Sequence, residues 1–156
     1  MIRQLQAGDA VGYRRIRLEG LLHDPLAFTM VYGEWRDRPL ADFAERLEKL
    51  EMFAALEGDR IVGTIALEAD YLDPNAGWII EVYVTRDFRG KGISDKLMQH
   101  VVSLHTYLEL RLETASGNTH ARALYTRHGF QDRQRSQQEQ QDASSACDVL
   151  MTWNKT

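Results

Sequence analysis

The stretch WIIEVYVTRDFRGKGISDKL, Trp78 to Leu97, runs an apolar segment straight into a glycine turn and then a helical period. Trp78 to Val84 carries apolar residues on both faces, so it belongs in the middle of a sheet rather than at its edge. Gly90 and Gly92 end the strand pattern. Ile93, Leu97, Val101, Leu104 and Leu108, with Met98 and Val102, then mark a helix. A central strand of this kind needs neighbouring strands and at least one helix packed over the sheet.

The rest of the chain supplies both. Ile2 to Gln6 reads as a short first strand, and Asp9 is placed to cap a helix toward Leu22 that buries Val11, Ile16, Leu18, Leu21 and Leu22. A break at Asp24-Pro25 and the aromatic segment AFTMVYGEW follow. Pro39 then opens a helix through about Leu50, with Phe43, Leu47 and Leu50 on one side. Two strands in MFAALEGDRIVGTIALEADYL meet at a tight Gly58-Asp59 turn. Beyond the central unit, Glu109 to Thr114 alternates as a strand, and NTHARALYTRHGF gives a short helix capped near Asn118 or Thr119 and stopped by Gly129. Cys147 to Trp153 reads as the last strand. Gln131 to Ala146, rich in glutamine, reads as a solvated strand end and loop. The predicted order is β-α-α-β-β-β-α-β-α-β-β. It describes one α/β domain over residues 1–156: a single mixed, largely antiparallel sheet of six or seven strands flanked by helices.

Composition narrows the function. A net charge of −4 argues against a general nucleic-acid binder. Cys147 is the only cysteine, which excludes an internal disulfide and a cysteine-based zinc site. The five histidines lack metal-ligand spacing on one predicted face, so no metal is expected. The charged N-terminus has no signal-peptide core, and no run approaches the ~18 apolar residues of a membrane span. The expectation is a cytoplasmic protein with neither nucleic-acid nor membrane partners.

The glycine turn has the makings of an anion site. The first free N–H groups of the following helix lie at Gly90, Lys91, Gly92, Ile93 and Ser94, where glycines permit close approach and the helix dipole favours negative charge. Arg86, Arg89, Lys91 and Lys96 outweigh Asp87 and Asp95 there. A P-loop is excluded because Thr85 stands where its first glycine belongs and Gly92 follows Lys91. A dinucleotide fingerprint is excluded because Asp95 occupies its third glycine position. An ordinary surface turn with solvated charges accounts for these residues equally well.

Two motifs together resemble the GNAT superfamily of N-acyltransferases. VYVTRDFRGKGIS is similar to its acyl-CoA signature through Arg89, Gly92 and Ser94, and NTHARALYTRHGF is similar to its second signature through Asn118, Ala121, Leu124, Tyr125, Gly129 and Phe130. RLEGLLHDPLAF also resembles a segment of bacterial members. Ser94 departs from the family's Gly or Ala, adding a hydroxyl that either donates to phosphate or crowds the turn.

The resemblance implies acetyl-CoA as cosubstrate, held by Val82, Tyr83, Val84, the turn from Arg89 to Asp95, Asn118 and Tyr125. It implies direct acetyl transfer to an amine. Tyr125 stands where the family places its general acid; otherwise it is a packing tyrosine. A backbone N–H within Val82–Val84 is expected to hold the oxyanion. Asn118 anchors the pantetheine arm or the turn, or serves as an N-cap. Two glutamates are candidate bases, of which Glu81 is the favoured one. Glu81 lies inside an apolar strand, where a carboxylate needs a purpose or a partner. Glu113 aligns with a base of members that modify protein N-termini. A water relay needs neither. Phe28, Met30, Tyr32 and Trp35 either line an acceptor pocket or belong to the core. The favoured acceptor is a small-molecule primary amine. A protein N-terminus, or a non-catalytic acyl-CoA-binding module, are the alternatives, and a homodimer is an assembly open to the chain.

Overall fold

The computed structural model describes residues 1–24, 31–142 and 148–156. Among these, seven strands form one sheet in the order β1-β2-β3-β4-β5-β7-β6. The strands are β1 (Ile2–Gln4), β2 (Glu51–Glu57), β3 (Arg60–Ala69), β4 (Ala76–Val84), β5 (Glu109–Thr114), β6 (Gln131–Asp132) and β7 (Val149–Asn154). Every neighbouring pair is antiparallel except β4 and β5. A parallel pair needs a crossover, and α4 (Ile93–Leu104) supplies it.

Two cores sandwich the sheet. On one face α1 (Ala10–His23), α2 (Tyr32–Trp35) and α3 (Leu40–Lys49) pack Tyr13, Ile16, Leu21, Trp35, Phe43, Leu47 and Leu50 against β2, β3 and β4. On the other, α4 and α5 (Thr119–Arg127) pack Leu97, Met98, Val101, Leu124 and Tyr125 over Ile65, Ile79, Leu110 and Leu112. Gly63 lets α4 approach closely, since a Cβ there would meet the Ile93 and Leu97 side chains at 3.0 and 3.1 Å.

Three expectations are corrected. Val11, Leu22, Leu104 and Leu108 are exposed, and Leu108 lies beyond the end of α4. The glutamine-rich stretch is not all loop, because Gln137–Asp142 forms a short helix, α6. β4 begins at Ala76, two residues before Trp78, and the last strand begins at Val149. Cys147, the predicted start of that strand, lies outside the described residues, as do Phe28 and Met30.

The closed end of the β4–β5 pair is tied by charge. Arg111 on β5 donates to Asp70 at 2.9 Å, Asp73 at 3.1 Å and Glu109 at 2.7 Å, and the Trp78 indole donates to Asp70 at 2.6 Å. Burial works against the Asp70 carboxylate. Hydrogen bonds from Trp78 and from the Leu72 and Asp73 amides, with the Arg111 charge, more than offset it and hold Asp70 below its ordinary pKa. A lowered folded-state pKa means this contribution is present above the unfolded value and is lost as pH falls through the folded one. Asp70→Asn is therefore expected to destabilise the fold at neutral pH by about 1.5–3 kcal/mol. In urea titrations the gap from wild type should narrow below about pH 4. A constant gap down to pH 2.5 would show that Asp70 acts by packing alone.

Candidate functional site

The cleft originates in a change of partner along β4. Its first residues pair with β5 (Ala76 with Glu109, Gly77 with Leu110, Trp78 with Arg111), after which the two strands separate. Pairing with β3 continues to Val84, but the register shifts on the way. Ala66 faces Ile80 and Thr64 faces Tyr83, so Ile65 stands opposite both Glu81 and Val82. This is a β-bulge, and Glu81 takes the left-handed conformation with φ of 54°. The Thr64 hydroxyl donates to the Glu81 carbonyl at 3.0 Å. Past the bulge, the Thr85 N–H bonds the Val62 carbonyl at 2.8 Å. Strand alternation turns the Val84 N–H and C=O the other way, to the edge that β5 has left. The Val84 carbonyl there accepts from Arg89 Nε at 2.9 Å.

Between the diverging strands lies a cleft of about 580 Å³. Val82, Tyr83 and Val84 line it from β4, Glu113 and Thr114 from β5, and Asn118 and Tyr125 from the start and body of α5. Arg89, Gly90, Gly92, Ile93, Ser94 and Asp95 close one end. Gly92 is the N-cap of α4 with φ of 78°, and Gly90 has φ of 76°, so the turn presents successive backbone N–H groups to the cleft. Asp95 does not oppose an anion alone. Hydrogen bonds from Arg127 (3.2 Å) and His128 (2.9 Å) hold it and lower its pKa.

Tyr125 is buried, its ring edge-on to Phe130 at 6.3 Å, on the cleft wall. Glu113 Oε2 accepts from Arg135 at 2.9 Å. Asn118 caps α5, accepting from the Ala121 N–H at 3.2 Å, so the cap and the cleft wall are the same residue. The Tyr83 hydroxyl donates to Glu19 at 2.8 Å; burial, then that carboxylate, pushes the phenol up to about 12.

Two of the predicted catalytic and cofactor-binding residues stand off the cleft lining among the described residues. Lys91 lies over the Phe88 ring, 4.8 Å from its centroid. Glu81 is buried on the α1 and α3 face, accepting from the Tyr13 hydroxyl at 2.9 Å and Arg46 Nε at 3.3 Å and paired with Arg17. Tyr32 and Trp35 join the core on that face. Sequence reasoning missed His23, Asp24, Thr114 and His120, all on the lining. Burial raises the Asp24 pKa, against the Arg89 charge. His23 and Asp24 close α1 next to the Asp24-Pro25 break and carry no periodic signal that would have marked them.

Residues 13–130 match the Acetyltransferase (GNAT) family. The chain belongs to that family. N-alpha-acetyltransferase 30 of Schizosaccharomyces pombe is 32% identical over 83 residues, which is 50% of this chain and 55% of that protein. The chain thus matches about half the length of this curated relative. Among solved structures, ribosomal-protein-alanine N-acetyltransferase from Brucella melitensis superposes with a TM-score of 0.79 at 16% identity, over 99% of both chains. PaiA N-acetyltransferase from Thermoplasma acidophilum, in complex with coenzyme A, gives 0.75 at 15% identity, over 99% of this chain and 98% of that one. These two likenesses bear on the fold, which is that of GNAT acetyltransferases.

Proposed function

We propose that this GNAT acetyltransferase moves the acetyl group of acetyl-CoA to an α-amine, with a peptide N-terminus as the acceptor class. What supports the reading is the placement of Glu113 and Tyr125 on one cleft, beside the open edge of β4, while Glu81 faces the other core. The likeness to an Nα-acetyltransferase over half the chain supports the acceptor class.

Acetyl-CoA supplies an acetyl group activated as a thioester. The Gly90–Ser94 amides and Arg89 fit its diphosphate, because each φ above 70° turns N–H groups toward one point and α4 adds its dipole. The Val84 N–H, free of a β5 partner, takes up negative charge developing on the acetyl oxygen. Glu113 accepts the proton the amine must lose, directly or through a water, and Tyr125 delivers a proton to the departing sulfur. An α-amine titrating near 8 is about a tenth neutral at pH 7. It therefore makes a modest demand on a base already paired with Arg135.

Following free thiol with acetyl-CoA and a panel of short peptides, polyamines, aminoglycosides and lysine-like amines tests the reading. Peptides with free α-amines are expected to give the highest kcat/KM. Glu113→Gln should lower it by roughly 10²-fold, with the deficit shrinking at alkaline pH as the amine deprotonates unaided. If metabolite amines win, and Glu81→Gln is the more damaging change with a deficit that vanishes at alkaline pH, the acceptor is a basic small molecule and Glu81 its base. Coenzyme A binding without transfer to any amine would leave a non-catalytic acyl-CoA module.

A further inference from the structure

We infer that Arg17 and Arg46 are positioning residues, clamping Glu81 so that the β4 bulge keeps the Val84 N–H on the open edge of the sheet; the inference rests on the acetyl-transfer reading above. Glu81 is, among the described residues, the single non-glycine with positive φ. A side chain in that conformation is strained, and a buried carboxylate is costly unless it is paired. Such a combination persists only where the surroundings over-determine it.

Here they do. Arg17 on α1, itself 3% exposed, pairs with the carboxylate; Arg46 on α3 reaches it at 3.3 Å, and Tyr13 on α1 donates at 2.9 and 3.2 Å. The Trp35 ring backs both guanidiniums, 4.3 Å from Arg17 and 5.6 Å from Arg46. On the main chain, Thr64 holds the Glu81 carbonyl at 3.0 Å. Two helices and a neighbouring strand therefore grip one residue.

What the grip sets is register. A bulge adds one residue to one strand, and because side chains alternate with a period of two, everything after it changes sides. With the extra residue, the Thr85 N–H faces Val62 and the Val84 N–H faces the cleft. Without it these two positions would exchange sides. The Tyr83 and Thr85 hydroxyls would also leave Glu19, which accepts from both. The carboxylate thus acts at a distance from the transferred group, through the backbone it holds.

Arg17→Gln risks unfolding, so Arg46, whose side chain is 18% exposed, is the position to change. In the full chain, Arg46→Gln is expected to lower kcat by roughly 10- to 100-fold, the scale of misplacing a reacting group by about an ångström, while KM for acetyl-CoA stays within about threefold. Because no proton carrier is lost, the deficit should be equal from about pH 6.5 to 8.5, and Arg46→Lys should recover part of it. A deficit that vanishes at the alkaline end would identify Glu81 as a base and overturn the inference. So would wild-type kcat in Arg46→Gln. Amide hydrogen exchange separates this inference from the functional reading, since it needs no turnover. Exchange at Val82–Val84 should quicken in Arg46→Gln while Leu110–Leu112 in β5 is unchanged. Unaltered exchange at Val84 would refute the clamp even if the enzyme reading stood, and quickened exchange would uphold it even if no amine were acetylated.

Discussion

Gly92→Val is expected to lower coenzyme A affinity at least ~100-fold in calorimetry, while the domain still unfolds cooperatively. Gly92 caps α4 with φ of 78°, a conformation in which a β-branched residue is a severe outlier. The penalty is conformational rather than steric against neighbours, because a Cβ at Gly92 would meet nothing within 4 Å. The cheapest relief is to rotate the turn, which withdraws the N–H groups of residues 92–94 from their common point. Two lost hydrogen bonds to a charged phosphate, at about 1.5–3 kcal/mol each, account for the expected loss. A graded series follows from the same argument. Asn, which tolerates left-handed backbone, should retain most binding, Ala should be intermediate, and Val should bind least. If Gly92→Val binds coenzyme A within about threefold of wild type, the turn is a surface feature and the diphosphate sits elsewhere.

The turn was legible because glycines, a preceding apolar strand and a following helical period are local signals. β5 and the Asn118 cap were legible for the same reason, the first from strict alternation and the second from one side chain before a helix. Local periodicity says less about where a helix stops. Leu104 and Leu108 extend the apolar pattern, yet α4 ends at Leu104, and both leucines face solvent. Gln137–Asp142 is helical although nothing apolar marks a face, which composition reads as loop.

Non-local facts were out of reach. That β4 pairs in parallel with β5 for three residues and then leaves it depends on the Arg111 network and on the bulge, not on any spacing in WIIEVYV. The notion that Glu81 needs a purpose or a partner was sound chemistry. Two of its partners, Tyr13 and Arg46, are 68 and 35 residues away in the chain, beyond what a pattern within one strand can reveal. For the same reason His23 and Asp24 reach the cleft lining unannounced, brought there by the packing of α1 on the sheet.

Tyr125→Phe is expected to lower kcat by roughly 10- to 10⁴-fold, the range of acid–base catalysis, with KM for acetyl-CoA little changed. The substitution removes one oxygen and keeps the ring, so the edge-on contact with Phe130 at 6.3 Å and the packing around Leu124 should survive. Thermal midpoints within about 2 °C of wild type would confirm that the core is intact. The acid's task is to protonate a thiolate, and the Tyr125 hydroxyl would supply that proton. The deficit should therefore depend on how strongly the leaving sulfur needs that proton. Thioesters with a more acidic thiol as leaving group need it less, and with them Tyr125→Phe should recover part of the lost rate. That leaving-group dependence separates proton delivery from positioning, because a misplaced substrate would lose rate equally with every thioester. Equal losses across the series would assign Tyr125 to packing of the cleft wall. An unchanged kcat would do the same, provided single-turnover kinetics show chemistry to be rate-limiting, and would leave the thiolate to be protonated by solvent.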